Sequence, residues 1–229
     1  MIKVARFAAL MLLGFGLNGN AYAASDQQNL VDEARITADH LKTDKEFGNA
    51  AQMLQRARAV LIVPNLVKAG FFLGGEGGDG VLLGRAGNSW TDPVFYTLAS
   101  ASFGLQAGIQ SAEVVALVMT DRGLKALEQD EFKFGAQAGL AIVTLGASAQ
   151  AASSTALNSA DIIVWASASG AYAGVTLEGS VVKPRASYNE AYYGHPMTLA
   201  GLLNKSGTVA GTKGLRLSLA RAATPMSGQ

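Results

Sequence analysis

The sequence predicts an α+β fold, in which a glycine-rich, mostly antiparallel β-sheet or barrel core is combined with N-terminal helices and short C-terminal helices. Three observations indicate this class. Apolar residues recur at helical spacing across residues 25–58. Several β-rich segments, separated by glycines and turn residues, follow between Val60 and Val182. Two short helical patterns lie nearer the C-terminus. We therefore expect helices both before and after the strands along the sequence.

The first 23 residues have the pattern of a secretory signal peptide. Lys3 and Arg6 form a charged start, residues 7–17 form an apolar run, and Ala21 and Ala23 form an A-x-A cleavage signal. The apolar run is too short to span a membrane. We therefore expect cleavage after Ala23, a periplasmic or secreted product that is peripheral to the membrane, and a single domain over residues 24–229.

The composition restricts the possible partners and chemistry. The chain contains no cysteine, which excludes disulfides, thiolate metal sites and a cysteine nucleophile. Loss of the signal peptide removes two of the 18 basic side chains and none of the 17 acidic ones, which leaves 16 against 17 and a net charge of −1. Such a balance is not typical of a protein whose main partner is nucleic acid. Electrostatic recognition must therefore use a local patch.

Two helices are predicted before the sheet. Apolar residues recur at helical spacing from Leu30 to Leu41 and again from Phe47 to Ala57. Thr43 and Glu46 have the spacing of a capping box that would start the second helix. We expect both helices to cover one face of the sheet.

The strands and the later helices are predicted from alternation and turn residues. A short helix is expected at 120–129, with Asp121 as its cap. Two more short helices are expected at 187–193 and 198–203. The β-rich segments are 60–63, 70–73, 81–85, 94–102, 113–119, 132–145, 161–168 and 170–182.

The glycine-rich stretch 68–85 resembles a nucleotide-binding loop in one respect. Gly75, Gly77 and Gly80 fit the GxGxxG pattern, in which a tight turn delivers pyrophosphate to the start of a helix. The residues after Gly80 are aliphatic and β-branched at strand spacing rather than helix spacing. The pattern therefore does not indicate a nucleotide site.

Two other interpretations of this stretch remain. Residues 74–82 match one copy of a calcium-binding nonapeptide, but a single copy cannot complete a coordination shell. The simpler interpretation is a β-hairpin whose turn uses glycines with positive φ, with Glu76 and Asp79 at its solvated tip. Calcium binding by these two carboxylates remains a minor alternative.

No catalytic constellation is present. The sequence contains neither a GxSxG nor an HExxH motif, and its two histidines are His40, on a charged helix face, and His195. A hydrolase that uses His195 is therefore the weakest of three functional hypotheses, and the other two are given at the end of this subsection. We expect a protein that is not an enzyme and that has no metal or other cofactor.

Basic residues at the ends of predicted strands are the best candidates for a binding site. Long cationic side chains at strand ends can converge on a phosphate group; the alternative is that they only keep the strand ends soluble. Apolar residues nearby can contact acyl chains. The candidate lipid-binding residues are Lys68, Arg85, Lys183 and Arg185 for the headgroup, and Phe71 and Phe72 for the acyl chains.

Several motifs occur in a fixed order over about residues 50–203. They are KAG at 68–70, the glycine-rich segment 74–85, Trp90 with Pro93, FGLQAG at 103–108, and GAYAGVTLEGS at 170–180 followed by Tyr192, Tyr193 and Gly194. Together these motifs resemble the SYLF domain family. The resemblance implies a lipid-binding module, since eukaryotic members bind phosphoinositides and some bind actin filaments. The predicted export of this chain removes actin and phosphoinositides as ordinary partners and leaves affinity for a membrane lipid.

The chain departs from the family at its N-terminal helix. Members known for phosphoinositide binding use a basic amphipathic helix there, whereas residues 26–46 of this chain carry six acidic and three basic side chains. An acidic helix is repelled by an anionic surface. The strand-end cations are therefore the better candidates for contact with lipid.

Two hypotheses for the function follow. The first is a secreted, non-enzymatic lipid-binding protein that recognises anionic phospholipid headgroups through a basic strand-end patch. The alternative is a structural or interaction protein of the cell envelope that assembles with itself or binds an outer-membrane partner. The nearly uncharged run 136–156, rich in alanine, glycine and serine, motivates this alternative, although a buried strand that leads into a loop explains the run as well.

Overall fold

The structure is a computed structural model that describes residues 25–70, 73–103, 108–143, 159–168, 177, 179–203 and 205–224. The strands in these residues are β1 (Ala59–Gly70), β2 (Leu73–Ala86), β3 (Ser89–Trp90), β4 (Val94–Phe103), β5 (Gly108–Val118), β6 (Phe132–Lys133), β7 (Leu140–Val143), β8 (Ile162–Ala168) and β9 (Val181–Pro184). They form one sheet in the order β6-β9-β4-β2-β1-β5-β8-β7, with β3 paired to β2. All pairs are antiparallel except β7 with β8. The predicted α+β class is confirmed.

The sheet is curled, because its two edge strands are close in the sequence. Strand β6 ends at Lys133 and strand β7 begins at Leu140, so the connection spans at most about 25 Å. A flat sheet of eight strands would separate its edges by about 34 Å. The two edges must therefore bend toward each other, and the sheet forms an incomplete barrel.

Both faces of the sheet are buried. Val60 and Ile62 of β1 belong to the apolar cluster on one face, and Leu61 and Val63 belong to the cluster on the other. The connection between the two edges packs Phe134 into the second cluster, which identifies this face as the concave one. Burial on both faces explains why β1 begins as an unbroken apolar run rather than an alternating one.

Helices cover the convex face. Helix α1 (Asp26–Thr43) begins at Ser25, whose hydroxyl accepts a hydrogen bond from the backbone N–H of Gln28 at 3.2 Å. The apolar sides of α1, α2 and α6 belong to the convex-face cluster. The remaining helices are α2 (Ala50–Leu54), α3 (Asp121–Leu127), α4 (Ala186–Tyr193), α5 (Leu199–Leu202) and α6 (Lys213–Ala222).

The predicted glycine hairpin tip at residues 74–80 is wrong. These residues lie inside β2 and pair with β1 on one side and β4 on the other. Two of their glycines, Gly78 and Gly80, are required by close backbone contact. A Cβ atom at Gly80 would lie 2.5 Å from the carbonyl oxygen of Ile62, and one at Gly78 would lie 2.6 Å from that of Asn65. The register of β1 shifts at this point, so β1 bulges onto the glycines of its neighbour.

Two predicted helix caps are also wrong. Helix α1 continues through Thr43, and the following 3-10 turn is capped by Asp44, which accepts a hydrogen bond from the N–H of Glu46 at 2.9 Å. Helix α3 is capped by Thr120 rather than by Asp121. In both cases the cap is the adjacent residue, one position from the predicted one.

Other predictions can be compared directly. The segment 161–168 is confirmed as a strand, and 187–193 and 198–203 contain helices α4 and α5. The segment 132–145 contains two separate strands, β6 and β7, rather than one. Residues 1–24, which hold the predicted signal peptide, and most of the run 136–156 lie outside the described residues. No helix in the described part of the chain is both long and apolar enough to cross a bilayer.

Candidate functional site

Lys68 pairs with a buried carboxylate. It lies opposite Glu76 in the β1–β2 register, and its Nζ is 2.9 Å from Oε1 of Glu76. The Glu76 side chain is only 1 % exposed, and neither of its oxygens accepts a hydrogen bond of good geometry. Glu76 is therefore not at a solvated tip, and the charge of Lys68 is directed to this carboxylate.

Arg85 lies toward the opposite end of β2, about 30 Å from Glu76 along the strand. Its guanidinium donates to the carbonyl oxygens of Leu54 and Ala57, the second at 3.2 Å. It also lies 4.0 Å from the centre of the Trp90 ring. Burial lowers the pKa of Arg85. The side chain thus holds the end of helix α2 against the sheet.

Lys183 is on strand β9, and Arg185 follows the strand at the start of helix α4. Lys183 Nζ is 2.7 Å from Oε2 of Glu131, and this contact lowers the pKa of the Glu131 carboxyl. Arg185 forms an ion pair with Asp79, and its guanidinium carbon lies 3.3 Å from the centre of the Tyr188 ring. Both cations therefore have acidic partners in the same chain.

The four strand-end cations do not converge. Lys68 and Arg85 lie toward opposite ends of the β1–β2 pair. Lys183 lies on β9, which pairs with β4, and Arg185 follows the end of β9. Each of the four already contacts a carboxylate or a carbonyl oxygen. Phe71 and Phe72 lie outside the described residues. The predicted residues therefore do not form one lipid site together, and any such site must include other residues.

An open cleft of about 590 Å³ lies beside Arg85. The connection between α2 and β1, the turn between β2 and β3, and the start of α3 form its walls. Its charged lining residues are Arg56, Arg58, Arg85 and Asp121, and its apolar lining includes Met119, Leu124 and Leu203. We call this the arginine cleft.

Backbone contacts bring the three arginines together. The Arg58 N–H donates to the carbonyl oxygen of Val118, and the Arg85 N–H donates to the carbonyl oxygen of Arg58, both at 2.7 Å. The β2–β3 turn is tight because Gly87 has a φ of +60°, a conformation that favours glycine. The positions of the arginines are thus set by main-chain hydrogen bonds at the end of the sheet.

Two of the arginines present their charge to solvent. Arg58 Nη1 is 3.1 Å from Oδ1 of Asp121, but the side chains are 53 % and 65 % exposed, and such a pair is worth about 1 kcal/mol or less. Arg56 makes no ion pair with any described residue, and its guanidinium contacts the sulfur of Met53 at 3.1 Å. An anion that enters the cleft can therefore meet two weakly engaged guanidinium groups.

The other titratable groups do not assemble a metal site. Among the described residues no group of three or more histidine, aspartate or glutamate side chains is placed to hold a metal ion. His40 Nδ1 lies 2.8 Å from Glu113, and the exposed His195 is within 3.1 Å of the carbonyl oxygen of Pro196. Glu76 and Asp79 contact different cations, Lys68 and Arg185.

Asp92 holds the C-terminal segment to the sheet. Its carboxylate accepts hydrogen bonds from the N–H groups of Thr208 and Val209 at 2.8 and 3.2 Å, and from the Thr212 hydroxyl at 2.5 Å. Arg216 Nε lies 3.5 Å from the same group. Burial, together with the charges of Asp92 and Asp32, raises the pKa of the nearby Tyr192 to about 12. These contacts give the Trp90–Pro93 motif a structural role.

Asp161 joins α3 to β8 in a similar way. It accepts hydrogen bonds from Arg122 Nε at 2.8 Å, from the Thr120 hydroxyl at 2.5 Å and from the Gly139 N–H at 2.7 Å. Burial opposes the charged form of this carboxyl, but the hydrogen bonds outweigh it, and the pKa of Asp161 is lowered. The folded state therefore favours ionised Asp161 more than the unfolded state does.

We expect Asp161→Asn to lower the free energy of unfolding by about 1–3 kcal/mol at neutral pH. Because the folded pKa is below the unfolded one, this stabilisation is present above about pH 4 and is lost as the pH falls through the folded value. Urea unfolding of both proteins across a pH series measures the difference. If the difference in free energy of unfolding between wild type and Asp161→Asn stays constant down to about pH 2, the charge of Asp161 is not the stabilising element.

Sequence reasoning found Arg85 but missed Arg56 and Arg58. Arg56 lies in the last turn of the predicted second helix and Arg58 lies directly after it, where basic residues are normally solvated. The available signal was the pair of arginines two positions apart immediately before a buried strand. That signal does not reveal that the third arginine is nearby, because Arg85 is 27 positions away in the sequence.

The chain is similar to a known protein family over more than half of its length. The family described as "Ysc84: Las17-binding protein actin regulator" matches residues 99–222. The earlier motifs, such as those at 68–70 and 74–85, precede this range. The matched residues include the second half of β4, the five strands β5 to β9, and helices α3 to α6.

Curated relatives match a larger part of the chain. "LAS seventeen-binding protein 3" of Saccharomyces cerevisiae is 29% identical over 178 residues, 75% of this chain and 39% of the relative. "SH3 domain-containing YSC84-like protein 1" of Homo sapiens is 27% identical over 176 residues, 72% of this chain and 51% of the relative. The chain thus spans about half the length, or less, of these relatives. No solved structure matches it significantly.

Proposed function

Because the chain belongs to the Ysc84 family, the family that its motifs resemble under the name SYLF, we propose that it is a non-enzymatic protein that binds anionic phospholipid headgroups. The observation that carries the proposal is the arginine cleft, in which Arg56, Arg58 and Arg85 line one open space. The resemblance to SYLF domains implies a lipid ligand. The strand-end cations do not form a headgroup site together. The cleft supplies such a site.

The chemistry of the cleft suits a phosphate group. A guanidinium presents a planar set of N–H donors that matches phosphate oxygens in a bidentate geometry. Arg56 and Arg58 supply such donors at an exposed position, whereas Arg85 is fixed by the carbonyl oxygens of α2. In the proposed complex Arg56 and Arg58 contact the phosphate. Arg85 contributes mainly through its positive charge, which attracts the phosphate without contacting it.

The expected affinity is modest and depends on salt. A basic side chain near an anionic membrane surface contributes about 1 kcal/mol, so two arginines supply about 2 kcal/mol. Ions screen this attraction over a Debye length of about 8 Å at physiological ionic strength. Asp121 competes for Arg58, which makes the binding weaker than that of a site without an acidic neighbour.

We expect Arg56→Gln combined with Arg58→Gln to weaken binding to anionic vesicles by about tenfold or more, since about 2 kcal/mol of attraction is removed. Co-sedimentation with phosphatidylglycerol-containing vesicles and with pure phosphatidylcholine vesicles, across a salt series, measures the effect. The matched control is Lys133→Gln with Lys183→Gln, which removes the same charge beside Glu131.

The outcomes separate the two possible sites. Loss of binding in the arginine variant, with the lysine variant unchanged, is the expected result. The reverse pattern would place the site at strands β6 and β9, beside Lys183, which the sequence analysis had indicated. Equal binding of wild type to neutral and anionic vesicles would overturn headgroup recognition altogether.

A protein partner is the second candidate function. The family description names Las17 binding and actin regulation, and the yeast relative is named for binding LAS seventeen. For this chain we propose self-assembly or an envelope protein as the corresponding partner. Light scattering after size-exclusion chromatography tests self-assembly, and a strict monomer at high concentration would contradict it.

The proposed site of action is the periplasm or the exterior of the cell, at the membrane surface. The motivating observation is the signal-peptide pattern, with its A-x-A cleavage signal at Ala21 and Ala23. N-terminal sequencing of the protein from its native cells is expected to begin at Ala24. A mature chain that retains Lys3 and Arg6 in the cytoplasm would contradict export.

A further inference from the structure

A second groove lies next to the arginine cleft. It has a volume of about 480 Å³ and lies between α2 and the carboxyl ends of α1 and α6. Gln55 lines both the groove and the arginine cleft, and the next residue, Arg56, belongs to the cleft. The two spaces are therefore neighbours at the end of helix α2, with Gln55 at their border. We call the second space the helix groove.

The helix groove differs in character from the cleft. Leu41, Ala51 and Ala222 form its inner wall, and all three belong to the apolar cluster of the convex face or pack against it. Lys42 crosses one end, where its Nζ donates to the carbonyl oxygen of Thr224 at 2.9 Å. No acidic side chain lines this groove in the described part of the chain. An apolar chain with an anionic end fits this combination.

We infer that the arginine cleft and the helix groove together form one site for a single-chain anionic amphiphile, a lysophospholipid with an anionic headgroup. The phosphate lies against Arg56 and Arg58, and the acyl chain passes Gln55 into the helix groove. This inference rests on the proposed function, and it adds that the ligand is held as one molecule by one protein rather than as part of a bilayer surface.

The dimensions support a small-molecule ligand. Pockets that hold small molecules have volumes of about 300–1,000 Å³ and combine an apolar lining with a few polar groups. Each of the two spaces lies in this range, at about 590 and 480 Å³. The helix groove provides a place for one acyl chain, and two acyl chains would need a second apolar groove beside the cleft.

Titration calorimetry with lysophosphatidylglycerols below their micelle concentration tests the inference. We expect one ligand per protein, and affinity that rises by about two- to fourfold for each methylene added from hexanoyl to decanoyl. The headgroup alone, glycerophosphoglycerol, is expected to bind much more weakly. Affinity that is independent of chain length would overturn the assignment of the groove.

Variants that fill the groove provide the second arm. Gln52→Trp, at an exposed position that lines the groove, is expected to weaken the decanoyl ligand at least tenfold and to leave the headgroup unaffected. Ala51→Phe, at the neighbouring position of the same helix α2, is expected to do the same. Ala191→Phe, on the exposed side of α4, adds the same ring elsewhere and serves as the control. Circular dichroism establishes that each variant is folded.

The result also distinguishes this inference from the proposed function. If wild type binds anionic vesicles but forms no one-to-one complex with the soluble ligands, the inference fails and surface binding stands. If neither binds, the proposed function fails. Loss of soluble-ligand binding in Gln52→Trp with vesicle binding retained is the pattern expected when both are right.

Discussion

Asp92→Ala is expected to lower the free energy of unfolding by about 3–5 kcal/mol, the range for removal of one partner from a buried charged network. The substitution leaves the N–H groups of Thr208 and Val209 without their acceptor, and it leaves the hydroxyl of Thr212 with the carbonyl oxygen of Val209 in place of the carboxylate. It also leaves Arg216, whose side chain is 14 % exposed, without its carboxylate. Chemical denaturation monitored by tryptophan fluorescence measures the loss.

Asp130→Ala is the matched control for this experiment. Asp130 is exposed, and substitutions at such positions usually change stability by about 0.5 kcal/mol or less. If Asp92→Ala were as stable as Asp130→Ala, the carboxylate would not hold the C-terminal segment. The presence of Asp92 in the Trp90–Pro93 motif would then be explained by a role in binding rather than by a role in the fold.

Gly80→Ala is expected to cost about 3 kcal/mol, because the added methyl group overpacks a rigid position. Its Cβ would lie 2.5 Å from the carbonyl oxygen of Ile62 and 2.8 Å from Cγ2 of Val63. The first of these atoms is backbone, so β1 must move away from β2 to relieve the contact. Thermal and urea unfolding measure the change.

Gly77→Ala is the control from the same strand. Its Cβ would meet only the carbonyl oxygen of Leu98, at 3.8 Å, which is ordinary contact. Alanine also restricts the unfolded chain more than glycine does, so we expect this variant to be as stable as wild type or slightly more stable. Equal losses at the two positions would contradict the account of the β1 bulge.

The sequence predicts the fold class because the underlying signals are local. Helical spacing from Leu30 to Leu41 and the continuous apolar run of β1 are visible within short windows. Helix α6 was not predicted, although Leu215, Leu219 and Ala222 have helical spacing. The glycine-rich strand was assigned to a turn because the atoms that exclude a side chain at Gly80 belong to another strand.

The candidate site depends still more on long-range contacts. Arg85 carries an interpretable signal, a cation at the end of a strand, but its structural partners are the carbonyl oxygens of Leu54 and Ala57. Arg56 and Arg58 join it only because β1 and β2 pair in the observed register. Lys183 and Arg185 have the same sequence signal as Arg85, and the fold places acidic partners beside them. Position at a strand end therefore does not by itself identify a free cation.

Hydrogen–deuterium exchange of the full protein with and without anionic vesicles tests the central claim most directly, since it shows where lipid binds. We predict slower exchange at residues 55–58, 85–88 and 119–124, which surround the arginine cleft, with phosphatidylglycerol vesicles and not with phosphatidylcholine vesicles. Strand β9 and its neighbour Glu131 are expected to exchange at the same rate in both. Protection confined to β9, or protection that does not depend on the headgroup, would contradict lipid binding at the arginine cleft.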